Sequence, residues 1–141
     1  MIRFANKNDL ELLHKFDKHI SKKELEISIQ NQKILVAYEQ EIFLGWLRYN
    51  LFWDNTPFMN LLFILDKYQR KGYGKQLVIF WEEEMKKQGF SLVLTSTLST
   101  ETAQYFYKKI GYEECGSFIL PHQPSEIILF KKLEKSEQKN L

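Results

Sequence analysis

The stretch Phe58-Met59-Asn60-Leu61-Leu62-Phe63-Ile64-Leu65, with Tyr68-Gln69-Arg70-Lys71-Gly72-Tyr73-Gly74-Lys75 close behind it, decides the fold. Its first part is nearly all apolar, the pattern of a central strand covered on both faces. From Gly72 to Gln88 the period turns helical. Leu77, Val78, Trp81 and Met85 form an inner stripe, and Glu82 with Lys86 and Glu83 with Lys87 are outer pairs at i,i+4 spacing. Gly89 stands where a left-handed residue ends a helix, and Phe90-Ser91-Leu92-Val93-Leu94-Thr95 resumes a strand. Strand, helix and strand within about 35 residues make a βαβ unit, which predicts parallel strands and a right-handed crossover.

Between that strand and that helix lies the most specific chemical signal. A helix start leaves backbone N–H groups unpaired and carries partial positive charge, so an anion is stabilised there. Gly72 and Gly74 let backbone approach a diphosphate without obstruction by Cβ. Arg70, Lys71 and Lys75 add full charges, and no acid falls between Lys67 and Lys75. The segment reads as a pyrophosphate cradle; taken alone, the glycine pair also fits a plain tight turn. It is not a Walker loop, because no Gly-Lys-Ser/Thr follows a four-residue spacer. Nor is it the dinucleotide fingerprint, whose third glycine would fall at Leu77.

Upstream, Ile2-Arg3-Phe4 suits a short strand. Asn8 with Glu11 reads as a helix cap with its reciprocal acid, and Leu10, Leu13, Phe16, Asp17 and Ile20 follow at helical spacing, Asp17 being the polar exception. Ser21 and Glu24 form a second capping box, so residues 9–31 are expected to be two short helices in tandem. Ile34 to Tyr38 and Ile42 to Trp53 read as a hairpin, and Asp54-Asn55-Thr56-Pro57 as a turn. Downstream, Ser99 or Thr100 caps a helix carrying Glu101 in its first turn, Ala103, Phe106, Tyr107 and Ile110 on its apolar face, and Gly111 at its end. Tyr112 to Ile119 and Ser125 to Lys131 follow as strands, and the chain is polar from Glu134.

The 141 residues are 44% hydrophobic and 27% charged, an ordinary globular balance that excludes a disordered tail protein or a coiled-coil rod. No apolar run approaches the ~18 residues of a membrane span. No secretory signal is visible at Met1 to Lys7, and the lone Cys115 supports neither a disulfide framework nor a thiolate metal cluster. The cytoplasm is the expected compartment. A net charge of +2 gives no bulk reason to expect nucleic acid or an anionic membrane as partner. Aromatic residues, 15% of the chain, supply a core of large side chains.

Segment 61–112 resembles the acetyl-CoA-binding core of the GNAT (GCN5-related N-acetyltransferase) superfamily. Gln69, Gly72 and Gly74 meet its loop pattern Gln/Arg-x-x-Gly-x-Gly/Ala, and Ala103 to Tyr112 follows its later pattern Asn-x-x-Ala-x-x-Phe-Tyr-x-x-x-Gly-Phe/Tyr, with Thr100 in the place of the Asn. The resemblance implies an α/β fold with a central mixed sheet of about six or seven strands and about four helices, in one domain over 1–133 with a polar tail at 134–141. It implies acetyl-CoA as cosubstrate and no metal. The diphosphate would sit on Gln69, Arg70, Lys71, Gly72, Tyr73, Gly74 and Lys75, with Thr100 at the position of a cofactor contact. The pantetheine arm would run along Ile64 and Leu65, where a backbone N–H can polarise the thioester carbonyl. The acceptor would be a small-molecule or peptide amine, and a homodimer is possible.

For catalysis the resemblance points to Tyr107 as general acid toward the departing thiolate. By periodicity Tyr107 is equally a core position. Asp54 is the best carboxylate for a general base, and is equally a turn former. His14, Asp17 and His19 are expected on a solvated helix face rather than around a metal. Cys115 is expected as a packed strand residue, and Trp46, Tyr49, Phe52, Trp53 and Phe58 are expected mostly in the core, any outward-facing ring being free to line an acceptor pocket. The alternative to an N-acetyltransferase is a non-catalytic acyl-CoA sensing or partner-binding module on the same scaffold.

Overall fold

A computed structural model describes residues 1–134. The expected polar tail falls outside them from residue 135 onward. Strands and helices alternate as β1 (Ile2–Phe4), α1 (Leu10–Phe16), α2 (Lys22–Gln30), β2 (Ile34–Glu39), β3 (Ile42–Phe52), β4 (Thr56–Ile64), α3 (Tyr73–Lys87), β5 (Leu92–Leu98), α4 (Ala103–Lys109), β6 (Glu113–Phe118) and β7 (Glu126–Lys132). Short 3-10 turns occupy Lys7–Asp9 and Asp66–Tyr68. Among the described residues the seven strands form one sheet in the order β1-β2-β3-β4-β5-β7-β6. β4 and β5 pair in parallel, Phe58 opposite Leu94 and Met59 opposite Thr95, as a βαβ unit requires. β5 with β7 and β7 with β6 are antiparallel, which makes the sheet mixed.

The chain divides into two compact units, Met1–Tyr49 with Leu61–Phe80, and Asn50–Asn60 with the chain from Trp81 onward. In the first, Leu13, Leu25, Ile34 and Val36 are fully buried and pack with Phe43 and Trp46. The capping box lies on the 3-10 turn Lys7–Asp9 ahead of α1, whose own N-cap residue Asp9 makes no side-chain cap bond to it. Asn6 accepts from the Asn8 N–H at 2.9 Å, and Asp9 closes the box from the Asn6 N–H at 2.8 Å while gripping Arg3. Asn8 and Glu11 play no such part, because the 3-10 turn moves the start of α1 to Leu10. Ser21 caps α2 through the Glu24 N–H, as its spacing predicts. Asp17 is not on a solvated face: it ends α1 with its carboxylate enclosed.

In the second unit Trp81 and Met85 are fully buried, and in the first Leu77 and Val78 are too, so the expected α3 stripe is present. Its outer pairs shift register, to Glu83–Lys86 at 3.0 Å and Glu84–Lys87 at 3.4 Å. Glu82 turns inward, accepting from the Tyr112 hydroxyl at 2.7 Å and pairing with Lys131 at 3.0 Å. Neither Ser99 nor Thr100 caps α4, whose N-cap residue Thr102 makes no side-chain cap bond. Gln104 instead bonds the Ser99 and Glu101 carbonyls at 3.0 and 3.3 Å, and the Glu101 carboxylate accepts from the Leu98 N–H. Every residue of β6 is exposed, Cys115 included, so that cysteine is not packed as expected. Trp53 also leaves the expected core, at 75% exposure on the β3–β4 turn, and Pro57 lies inside β4 rather than in the turn.

Candidate active site

In the first unit β4 delivers the chain into the loop that the sequence singles out. Leu65 spends both backbone groups inside the protein, its N–H on the Leu44 carbonyl at 2.9 Å and its carbonyl on the Tyr68 N–H at 2.8 Å. Because successive strand residues point their backbone groups to opposite edges, those of Ile64 face away from β3. The Gln69 amide reaches back to that edge and donates to the Ile64 carbonyl at 2.8 Å. Arg70 has φ +65° and Gly72 φ +87°, so the loop reverses twice within three residues. A Cβ on Gly72 would meet nothing within 4 Å, so the dihedral, and not crowding, demands glycine there.

The α3 ladder begins with the Gln76 N–H on the Gly72 carbonyl at 3.1 Å. The N–H groups of Tyr73, Gly74 and Lys75 therefore lie ahead of it, at the positive end of a 15-residue helix. Tyr73 also anchors this start to the end of β2 by donating to the Glu39 carboxylate, a bond that raises its phenol above the ordinary tyrosine range. Arg70, Lys71 and Lys75 belong to the same short segment and are exposed. A loop of alternating handedness leading into a helix start, with three cations in its sequence, has the chemistry to receive an anion mainly through backbone.

The second unit holds the remaining predicted residues. Tyr107 is 6% exposed on α4, edge-on to Tyr112 at 5.5 Å. Burial pushes its phenol up to about 12, against the opposing influence of a hydrogen bond with Thr95. Thr95 also donates to the Met59 carbonyl at 3.0 Å. Thr97, two residues along β5 and so on the same face, is 5% exposed, and its hydroxyl has no hydrogen-bond partner. A buried hydroxyl without a partner costs about 1–3 kcal/mol, so this one suits a polar group brought in by a ligand. Thr100 is exposed in the turn before α4. Asp54 sits at the tip of the β3–β4 turn with φ +66°, beside Trp53 at +56°.

Sequence reasoning assigned Asp17 to a solvated helix face and passed over Thr95 and Thr97. Asp17 had a signal, a carboxylate on an otherwise apolar helical spacing; the threonines look like any strand residues. No group of three or more His, Cys, Asp or Glu side chains is placed to hold a metal among the described residues, and no helix there is long and apolar enough to cross a membrane.

The sequence model of the family described as an acetyltransferase (GNAT) domain matches residues 4–120. No curated protein matches the chain by sequence. Ard1 from Thermoplasma volcanium superposes with a TM-score of 0.83 at 13% identity, over 95% of this chain and 97% of that one. The ribosomal-protein-S18-alanine N-acetyltransferase from Escherichia coli gives 0.78 at 15% identity, over 100% and 98%. The PaiA N-acetyltransferase from Thermoplasma acidophilum, in complex with coenzyme A, gives 0.75 at 21% identity, over 94% and 98%.

Proposed function

The chain belongs to the GNAT acetyltransferase family, and on that premise we propose that it transfers an acetyl group from acetyl-CoA to a primary amine by direct attack in a ternary complex. The observation that carries the reading is the loop from Gln69 to Lys75, with its positive φ at Arg70 and Gly72 ahead of α3. The diphosphate of the cofactor accepts from the N–H groups of Tyr73, Gly74 and Lys75 and is neutralised by Arg70, Lys71 and Lys75. The coenzyme A bound to the PaiA protein supports this choice of ligand, as does the unpaired Thr97 hydroxyl. Thr100, at the position of the family's Asn, is a further proposed cofactor contact.

The amine lone pair attacks the thioester carbonyl carbon, whose oxygen gains charge and is met by the Ile64 N–H. The C–S bond breaks, and its electron pair leaves on sulfur. A phenol near 12 stays protonated at neutral pH, so Tyr107 acts as a donor. Its acidity is well below that of a thiol, about 8.5, so it chiefly donates a hydrogen bond that strengthens as charge builds on sulfur. When Tyr107 gives its proton to sulfur, solvent, which takes the proton shed by the amine nitrogen, returns one to the phenolate. In this reading Asp54 shapes the turn, and the amine releases its proton to solvent.

The test is thiol release from acetyl-CoA with a panel of amines, alongside calorimetry of cofactor binding. Tyr107→Phe is expected to lower kcat about a hundredfold with cofactor affinity intact; unchanged turnover removes Tyr107 from the chemistry. Absence of heat on adding acetyl-CoA sinks the loop assignment and the enzyme with it. If acetyl-CoA raises Tm yet no amine consumes it, the sensing alternative replaces catalysis.

A further inference from the structure

The first unit carries a cavity of about 620 Å³ beside the end of β4. This is within the usual range for small-molecule sites, roughly 300–1,000 Å³. Its floor is apolar: Phe16 from α1, Trp46 from β3, Leu61 and Phe63 from one face of β4, and Leu65 just past its end. Phe63 is 40% exposed, although its strand has the sequence of one covered on both faces. Its ring lies 5.5 Å from that of Trp46, which lies 6.5 Å from Phe16. Together they make an aromatic wall open to a flat partner.

The wall is held in place. Asp17 accepts from the Trp46 indole at 3.1 Å, from Arg48 at 2.9 Å, and from the His19 N–H at 3.1 Å, so one enclosed carboxylate fixes both the wall and the α1–α2 connection over it. The rim is polar and unbalanced in sign. Lys18 and Lys67 supply two cations, whereas the single acid, Asp66, already has the Gln69 amide at 3.3 Å. Such a rim attracts a carboxylate and repels a polycation.

We propose that this cavity selects the acceptor, and that the acceptor is a free α-amino acid with an aromatic or large apolar side chain. The ring covers the Trp46–Phe63 wall, the carboxylate meets Lys18 and Lys67, and the amine is presented at Leu65, next to the Ile64 backbone. This rests on the acetyl-transfer reading above. The amine nitrogen bonds to the thioester carbonyl carbon, the C–S bond breaks with its electron pair on sulfur, and nitrogen's lost proton balances the one sulfur gains. The products are an N-acetyl amino acid and coenzyme A.

Thiol release is measured with phenylalanine, phenylalaninamide, phenethylamine and spermidine, and phenylalanine is titrated calorimetrically into protein saturated with coenzyme A. Phenylalanine is expected to bind and to exceed both carboxylate-free analogues in kcat/KM by about fivefold or more, with spermidine inert. Phe63→Ala should lower kcat/KM for phenylalanine about tenfold without changing acetyl-CoA affinity. Lys18→Glu, on an exposed connection that tolerates change, should erase most of the preference over phenethylamine. Equal use of phenylalaninamide, a preference for spermidine, or neither heat nor turnover with phenylalanine while acetyl-CoA binds overturns the acceptor class and leaves the acetyltransferase standing. Failure to bind acetyl-CoA overturns the acetyl-transfer reading itself, and phenylalanine that binds but is not turned over while acetyl-CoA binds removes the acceptor role.

Discussion

The first unit encloses Asp17 against Arg48, besides Asp9 against Arg3, and the second encloses Glu82 against Lys131; the Asp17 and Glu82 arrangements are unequal. The Asp17 side chain is fully enclosed, and Arg48, its partner, is 10% exposed. Both oxygens are engaged, by Arg48, the Trp46 indole and the His19 N–H. Glu82 is 8% exposed, but its partner Lys131 is 28% exposed and holds the Ile110 carbonyl as well, at 2.9 Å. The Arg48 guanidinium is nearly enclosed and presents a fixed planar fork, whereas the Lys131 ammonium is partly solvated, flexible and already bonded elsewhere. The same pairing of charges is therefore a rigid fixture in one region and an adjustable one in the other.

Deleting each acid in turn separates the two fixtures by their cost. Asp17→Ala leaves Arg48 buried and unpaired and should cost about 3–5 kcal/mol in chemical denaturation. Glu82→Ala should cost less, about 2 kcal/mol, since Lys131 keeps the carbonyl and water and the Tyr112 hydroxyl loses one partner. Equal losses would show that exposure of the cation does not matter. Asp17→Asn separates charge from shape: it should restore part of the stability while still loosening Trp46, read as a red shift of its fluorescence.

A steric device in the first unit ranks next. A Cβ on Gly45 would sit 2.3 Å from the Phe63 carbonyl oxygen and 2.9 Å from the Ile64 Cα, both backbone atoms that side-chain rotation cannot relieve. Gly45→Ala should therefore cost about 2–3 kcal/mol, by overpacking. It should also disturb turnover, because the displaced segment includes Ile64. Full stability in Gly45→Ala would mean that β4 moves freely in this region.

The second unit answers to pH rather than to shape. The Tyr107 phenol stands at about 12 in the folded chain, raised chiefly by burial, against 10 unfolded. A raised pKa gives stability that is complete below pH 10 and is lost as pH climbs toward 12, amounting to about 2–3 kcal/mol over two units. Tyr112 is displaced in the same direction, mainly by burial and then by Glu82. Melting curves from pH 9 to 12 should fall steeply for the wild type and less steeply for Tyr107→Phe. Identical slopes would place the alkaline loss elsewhere.

How much of this was legible depended on how local the cause was. The α3 stripe, the Ser21 cap, the βαβ unit and the loop at Gln69 to Lys75 follow from period and spacing within a few turns of chain. The Asn6–Asp9 cap displaced the one read at Asn8 because Arg3, on the strand before it, and Tyr38, 29 residues away, also grip Asp9. Glu82 looked like an outer-face acid until Tyr112 and Lys131, 30 and 49 residues away, drew it inward. The aromatic wall was hidden for the same reason. Phe16, Trp46 and Phe63 are ordinary core residues in any local window, and only tertiary placement leaves Phe63 open.

The smallest expected effect bears on the one carboxylate that sequence offered as a base. Asp54 follows Trp53 with both in left-handed backbone, a conformation costly for a bulky residue and tolerable for Asp. Asp54→Gly relieves that conformation but adds freedom to the unfolded chain, so the net gain should be under about 1 kcal/mol. As a turn former Asp54 is dispensable to chemistry, and the variant should keep its turnover and its pH profile. A base would show itself differently, through a fall in kcat that is recovered as rising pH deprotonates the free amine. Stability and the pH dependence of kcat, measured on the same variant, thus separate the turn from the proton acceptor.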